Sequence, residues 1–109
     1  MDVIFTPKVL SYFENLIIIL YDKEYFSFLE TSKKYVEDLI DDIKSNISTK
    51  QHKPAPRHFD KYGKGMKYAS FKKSKHTTWY VFFKTYEENG NTIFLVRYIA
   101  NNHVIAQYL

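Results

Sequence analysis

Thr77 to Tyr86 reads TTWYVFFKTY, Thr92 to Ala100 reads TIFLVRYIA, and Glu87-Glu88-Asn89-Gly90-Asn91 lies between them. Two runs of β-branched and aromatic residues around Asn-Gly are the sequence form of a β-hairpin, because Asn and Gly accept the positive φ angles that a tight turn requires. This pair fixes an antiparallel sheet as the centre of the fold. Met66 to Lys72 is a further strand, ending in the turn Lys72-Lys73-Ser74-Lys75. Asn101-Asn102 reads as a turn or bulge, and His103 to Leu109 as a short last strand.

The first half is helical. Val3-Ile4-Phe5 is strand-like, and Thr6-Pro7 then supplies an N-cap and a proline at the first helical position. Val9, Phe13, Leu16, Ile17 and Leu20 repeat with helical spacing to about Tyr21, and Ile18 and Ile19 broaden the stripe. The segment from Asp22 to Phe28 is expected to hold the turn. A second helix follows, capped by Thr31 or Ser32, with Tyr35, Val36, Leu39, Ile40, Ile43 and Ile47 on its apolar face. Ser48 to His58 contains Pro54 and Pro56 and reads as a connecting loop. The predicted fold is α+β: an N-terminal strand, a two-helix antiparallel hairpin, then a three- to four-stranded antiparallel sheet. Residues 1–109 form one domain, a length that supports a single core.

Charge is distributed unevenly. Residues 43–75 carry ten Lys or Arg against Asp60 alone, residues 1–42 carry four lysines against nine acids, and residues 76–109 balance. A basic block interleaved with Phe59, Tyr62, Tyr68 and Phe71 suits a phosphate-rich partner, since cations displace counterions and aromatic faces stack on bases. A solvated lysine-rich loop has the same composition. The chain has no cysteine, which excludes disulfides and thiolate metal sites and suits a reducing compartment. Asp2 stands where a secretory signal needs positive charge, and the longest apolar run, Leu16 to Tyr21, is too short for a membrane span. The expectation is a soluble, cytoplasmic protein with no membrane partner. His52 and His58 are separated by two prolines, and His76 and His103 have no spaced partner, so no metal site or cofactor is expected.

The pattern as a whole resembles the RelE/ParE superfamily of type II toxins. The residues that carry the likeness are Val3-Ile4-Phe5-Thr6-Pro7-Lys8-Val9-Leu10 as opening strand and proline-started helix, the helical hairpin, Thr78-Trp79-Tyr80-Val81-Phe82-Phe83, and Leu95-Val96-Arg97-Tyr98-Ile99. The resemblance spans nearly the whole chain as a pattern of elements with loose motifs. It implies the toxin component of a toxin–antitoxin system, neutralised by a cognate antitoxin that binds it directly. RelE-like members are ribosome-dependent mRNA endoribonucleases, whereas ParE-like members poison DNA gyrase without cutting RNA.

The RelE-type reaction is metal-independent: a 2′-OH attacks the adjacent phosphate. The protein moves protons and stabilises added negative charge. The catalytic candidates are Arg97, His103, Lys67 and Tyr108. Arg97, one of two arginines, interrupts an apolar strand, and alternation puts it on a face with Leu95 and Ile99, opposite Phe94, Val96 and Tyr98. Its guanidinium is either aimed at a ligand or held in a structural ion pair. His103 is a general acid or base or a plain surface residue; Tyr108 is functional or merely packed. Lys53, Arg57, Lys61, Lys64, Lys72, Lys73, Lys75 and His76 are candidates for contact with nucleic acid. The chain departs from many ribonuclease members in using lysine where they use arginine, and in ending Gln107-Tyr108-Leu109 without a His and Tyr pair.

Overall fold

Thr6 and Pro7 start the first helix as the sequence predicts. In the computed structural model, which describes residues 1–23 and 26–109, Thr6 is extended, its hydroxyl accepts from the Val9 N–H at 3.4 Å, and Pro7 opens the helix. The chain runs β1 (Asp2–Phe5), α1 (Pro7–Asp22), α2 (Leu29–Asn46), β2 (Lys53–Pro54), β3 (Lys67–Lys72), β4 (Thr78–Glu88), β5 (Asn91–Asn101) and α3 (Asn102–Ile105). Three short 3₁₀ segments, Ile47–Thr49, Arg57–Tyr62 and Ala106–Tyr108, complete it. The expected turn between the helices includes residues 24 and 25, which lie outside the described residues.

The class is α+β, but the sheet differs from the expected antiparallel one. It is five-stranded and mixed, in the order β1-β5-β4-β3-β2, with β1 parallel to β5. Two helices between β1 and the other strands give the chain the crossover that parallel pairing needs. β2 lies inside the segment read as a loop. It is an edge strand of two residues, too short to leave a periodic signal, and Pro54 is tolerated there because edge N–H groups need no partner.

The hairpin forms with Asn89 at φ 52° and Gly90 at φ 79°, and Glu88 pairs with Asn91, so the loop is those two residues alone. The expected last strand, His103 to Leu109, is instead helical. Asn101 caps it by accepting from the His103 N–H at 2.9 Å, and Ile105 is buried beneath the turn. A local side-chain cap outweighs strand propensity here. The second helix likewise begins earlier than Thr31 or Ser32, at Leu29 after Phe28. Ser32 is fully buried, and its hydroxyl donates to the Ile17 carbonyl of α1, so its polar group joins the two helices.

Both faces of the sheet are covered. Val9, Phe13 and Leu16 of α1 and Val36, Leu39 and Ile43 of α2 pack on Trp79, Val81, Phe83, Phe94, Val96 and Ile99. The buried Trp79 indole N–H donates to the Tyr35 hydroxyl at 2.9 Å. Ile18 and Ile19, expected to widen the buried stripe, are exposed. On the other face, Phe59 and Met66 pack with Phe82, Ala100 and Ile105, flanked by Tyr62, Tyr68, Tyr80 and Tyr98.

The β4–β5 register slips once: Phe82 is opposite Tyr98, but Phe83 is opposite Val96. Arg97 is therefore an extra residue, a β-bulge. The expected alternation fails at this point. Ile99 joins Phe94 and Val96 under the helices, and Tyr98 turns to the far face.

Lys73, in the β3–β4 turn, reaches Asp42 of α2 at 2.9 Å, with both side chains mostly buried. Partial burial pushes the Asp42 carboxyl up, but hydrogen bonds from Lys73 and Asn46 and the charges of Lys73 and Lys50 outweigh this and hold it below its ordinary value. A depressed carboxyl contributes stability above its unfolded pKa, near ~4, and loses it as pH falls through the folded value. Asp42→Asn should thus cost about 1 kcal/mol at pH 7. Urea melts of the two proteins should converge as pH falls below about 4; a gap of constant size down to the acid end would contradict this account.

Candidate nucleic-acid interface

The face opposite the helices is built by the 3₁₀ segment Arg57–Tyr62 lying against the sheet. Pro56 starts the segment, and Phe59 anchors it, fully buried and stacked on Phe82 with centroids 4.4 Å apart. Tyr62 at its end stacks flat on Tyr98, at 3.9 Å and 6° between planes. Arg57 and Lys61 are left exposed on the segment, and the Lys61 ammonium lies 5.4 Å from the Tyr62 ring centre. Tyr98 can reach Tyr62 because the bulge turned it to this side.

The same bulge frees Arg97. Its Nε donates to the Tyr62 carbonyl at 3.1 Å. No carboxylate lies within ion-pair distance of it among the described residues, so the structural ion pair is absent and the terminal amino groups keep their capacity for an anion. Gly63 makes this placement possible. It has φ +151°, and a Cβ there would lie 2.9 Å from Arg97 Nε and 3.2 Å from its Cδ. Only glycine allows both that backbone angle and so close an approach.

The phenols are held protonated. Burial pushes the Tyr98 hydroxyl well up, helped by the neighbouring Tyr62 phenol stacked on it. Burial, with a smaller contribution from Tyr35, pushes Tyr12 up to about 12. These groups donate hydrogen bonds and do not act as bases near neutrality. The chemistry available beside Arg97 is anion stabilisation together with aromatic stacking.

The four candidate catalytic residues do not converge. Lys67 pairs with Phe83 and, by alternation with Tyr68, projects to the face of Ala69 and Phe71, opposite Arg97. It borders a separate open cavity of about 300 Å³ with Gly65, Lys84 and Tyr86. His103 is exposed on α3, with Nε2 3.4 Å from the Thr77 hydroxyl. Tyr108 stacks on His58 at 3.6 Å and 4°, which joins the C-terminal segment to the Arg57–Tyr62 segment. Tyr108 is therefore near Arg57, whereas His103 lies beside the β3–β4 turn with His76, whose carbonyl accepts from Asn102.

The basic block also divides. Lys73 is engaged with Asp42 on the helix side, and Lys50 and Lys44 lie over the Phe71 and Phe5 rings. Lys53 is on the β2 edge, Lys64 and Lys75 are exposed in turns, and Lys72 shares the face of Tyr68 by alternation. His52 is structural: its ring bonds the Ile47 carbonyl and packs edge-on against Phe83. Tyr98, Tyr12 and Gly63 were not among the candidate residues of the sequence. For Gly63 the only signal was its place between Tyr62 and Lys64.

No protein-family model, no curated protein and no solved structure matches this chain. Among the described residues no helix is long and apolar enough to cross a membrane, and no three His, Asp or Glu side chains form a metal cluster.

Gly63→Ala should displace Arg97 and weaken binding of a single-stranded RNA oligonucleotide about as much as Arg97→Ala does. Gly65→Ala, where a Cβ meets nothing within 4 Å, should cost about 1 kcal/mol through its positive φ and leave RNA binding unchanged. Titrations at fixed salt alongside thermal melts test this; equal RNA affinity for Gly63→Ala and wild type would remove Gly63 from the site.

Proposed function

We propose that this chain is the toxin of a type II toxin–antitoxin pair, acting in the cytoplasm as a RelE-like, ribosome-dependent mRNA endoribonuclease. One observation carries the reading. Arg97 is held by a backbone carbonyl instead of an acid, on a bulge beside the stacked Tyr62–Tyr98 pair, with Arg57 and Lys61 exposed nearby. The element order, with a two-helix hairpin after β1 and an antiparallel β3-β4-β5 unit, supports the same family.

In this reading the RNA backbone lies across the Arg57–Tyr62 segment and Arg97. The 2′-OH attacks the adjacent phosphorus, and the 5′ oxygen of the next nucleotide departs. Arg97 stabilises the charge that builds on the non-bridging oxygens, and Arg57 and Lys61 supply attraction along the strand. Tyr62 and Tyr98 orient the bases. His58, stacked on Tyr108, is the nearest imidazole to Arg57 and is the candidate for proton transfer; His103 serves that role only if the strand reaches the β3–β4 turn. The antitoxin covers this basic face with an acidic segment that folds on binding.

A second reading, a ParE-like toxin that binds DNA gyrase and cuts nothing, is favoured by the separation of Lys67 and His103 from Arg97. Inducible expression with mapping of mRNA ends separates the two. The expected outcome is growth arrest with new 5′ ends inside coding regions, reduced on the order of 100-fold by Arg97→Ala. DNA damage and filamentation with intact mRNA would select the gyrase target. Harmless overexpression with salt-sensitive RNA binding would leave only a basic nucleic-acid-binding module.

A further inference from the structure

β1 follows β5 only as far as Val96. The last bond between them runs from the Thr6 N–H to the Val96 carbonyl, at 3.1 Å, and Pro7 then turns the chain into α1. Beyond Val96 the outer edge of β5 therefore faces the first two turns of α1 instead of a strand. The space left there is a cavity of about 270 Å³ that adjoins the interface above through Tyr62, Arg97 and Tyr98. Val9, Ile99 and Ala100 give it an apolar floor, Tyr12 and Tyr98 give it phenol walls, and Lys8 and Arg97 stand at its rim. Neither cation has a carboxylate within ion-pair distance among the described residues.

An apolar floor, hydroxyl donors and two lining cations suit a flat, partly polar body attached to an anion. An added strand does not fit as well. α1 and α3 both pack on β5, and Val104 of α3 lines the cavity, so the free edge is short. A pairing strand advances about 3.3 Å per residue and needs several residues in line. We infer that this cavity is a subsite for one nucleotide of a single RNA strand, its base against Tyr12 and Tyr98 and its phosphate between Lys8 and Arg97. The inference rests on the RNA reading above and extends it to α1, which the catalytic proposal does not use. Both phenols stay protonated at neutral pH and can donate to a base carbonyl or ring nitrogen.

The test is methyl NMR of Val9, Ile99 and Val104 while uridine 3′-monophosphate or adenosine 3′-monophosphate is added to the full chain. Saturable shifts at all three positions, with Kd of about 1 mM or below, are expected. Lys8→Gln should weaken binding about tenfold, and Val104→Trp, a change at an exposed rim position, should abolish the shifts of the remaining Val9 and Ile99 methyls without lowering the melting temperature. Absence of shifts at about 10 mM nucleotide, or shifts that persist in Val104→Trp, would overturn the proposal. So would shifts caused by an acidic peptide of alternating Glu and Val but not by either nucleotide. The nuclease reading fails separately: methyl shifts with no mRNA cleavage would leave a nucleotide site on a protein that is not a nuclease, and cleavage without shifts would remove this subsite alone.

Discussion

At Arg97 the β4–β5 ladder holds one residue more on β5 than on β4, and the two faces of the sheet depend on that extra residue. Without it, Tyr98 would sit under the helices with Phe94 and Val96, and Ile99 would face the other way. With it, Ile99 completes the helix-side core, Tyr98 stacks on Tyr62, and Arg97 emerges beside both. A bulge disturbs the ladder locally, and here Phe82 and Phe59 compensate by packing directly beneath it. The candidate site is thus a consequence of strand register, held by aromatic packing.

The two cores make β4 buried on both sides, with Trp79, Val81 and Phe83 toward the helices and Phe82 toward the Arg57–Tyr62 segment. That explains why Trp79 to Phe83 is apolar without alternation, a pattern usual for strands covered on both faces, whereas Thr85 to Glu88 runs on exposed. It also explains how a basic loop can be ordered. Phe59 places the segment against the sheet, and its charged residues point outward by default. The ten cations of residues 43–75 then part company: Lys73, Lys50 and Lys44 meet Asp42 and ring faces, Arg57 and Lys61 are exposed on the 3₁₀ segment, and the other five lie on strands and turns.

Much of this was legible. The Asn89-Gly90 turn, the long strands around it, the Thr6-Pro7 start and the apolar faces of both long helices follow from local backbone preference and periodicity. The misreadings have specific causes. Residues 103–109 contain β-branched and aromatic members, but Asn101 caps a helical turn whose hydrophobic contact, Ile105, pairs with a distant core. β2 is recognisable only by its partner β3. The pairing of β1 with β5 joins residues some ninety positions apart, and no local signal encodes it.

By itself the sequence determined the α+β class, the hairpin, the two long helices and the segregation of positive charge into one segment. These depend on interactions within a few residues or on composition. Tertiary structure alone decided which cations remain free, that Arg97 binds a carbonyl and not an acid, and that α1 and β5 enclose a cavity. Each of those outcomes depends on strand order and on a register slip of one residue. Because side chains alternate every residue along a strand, such a slip changes which face the chain presents without changing its composition.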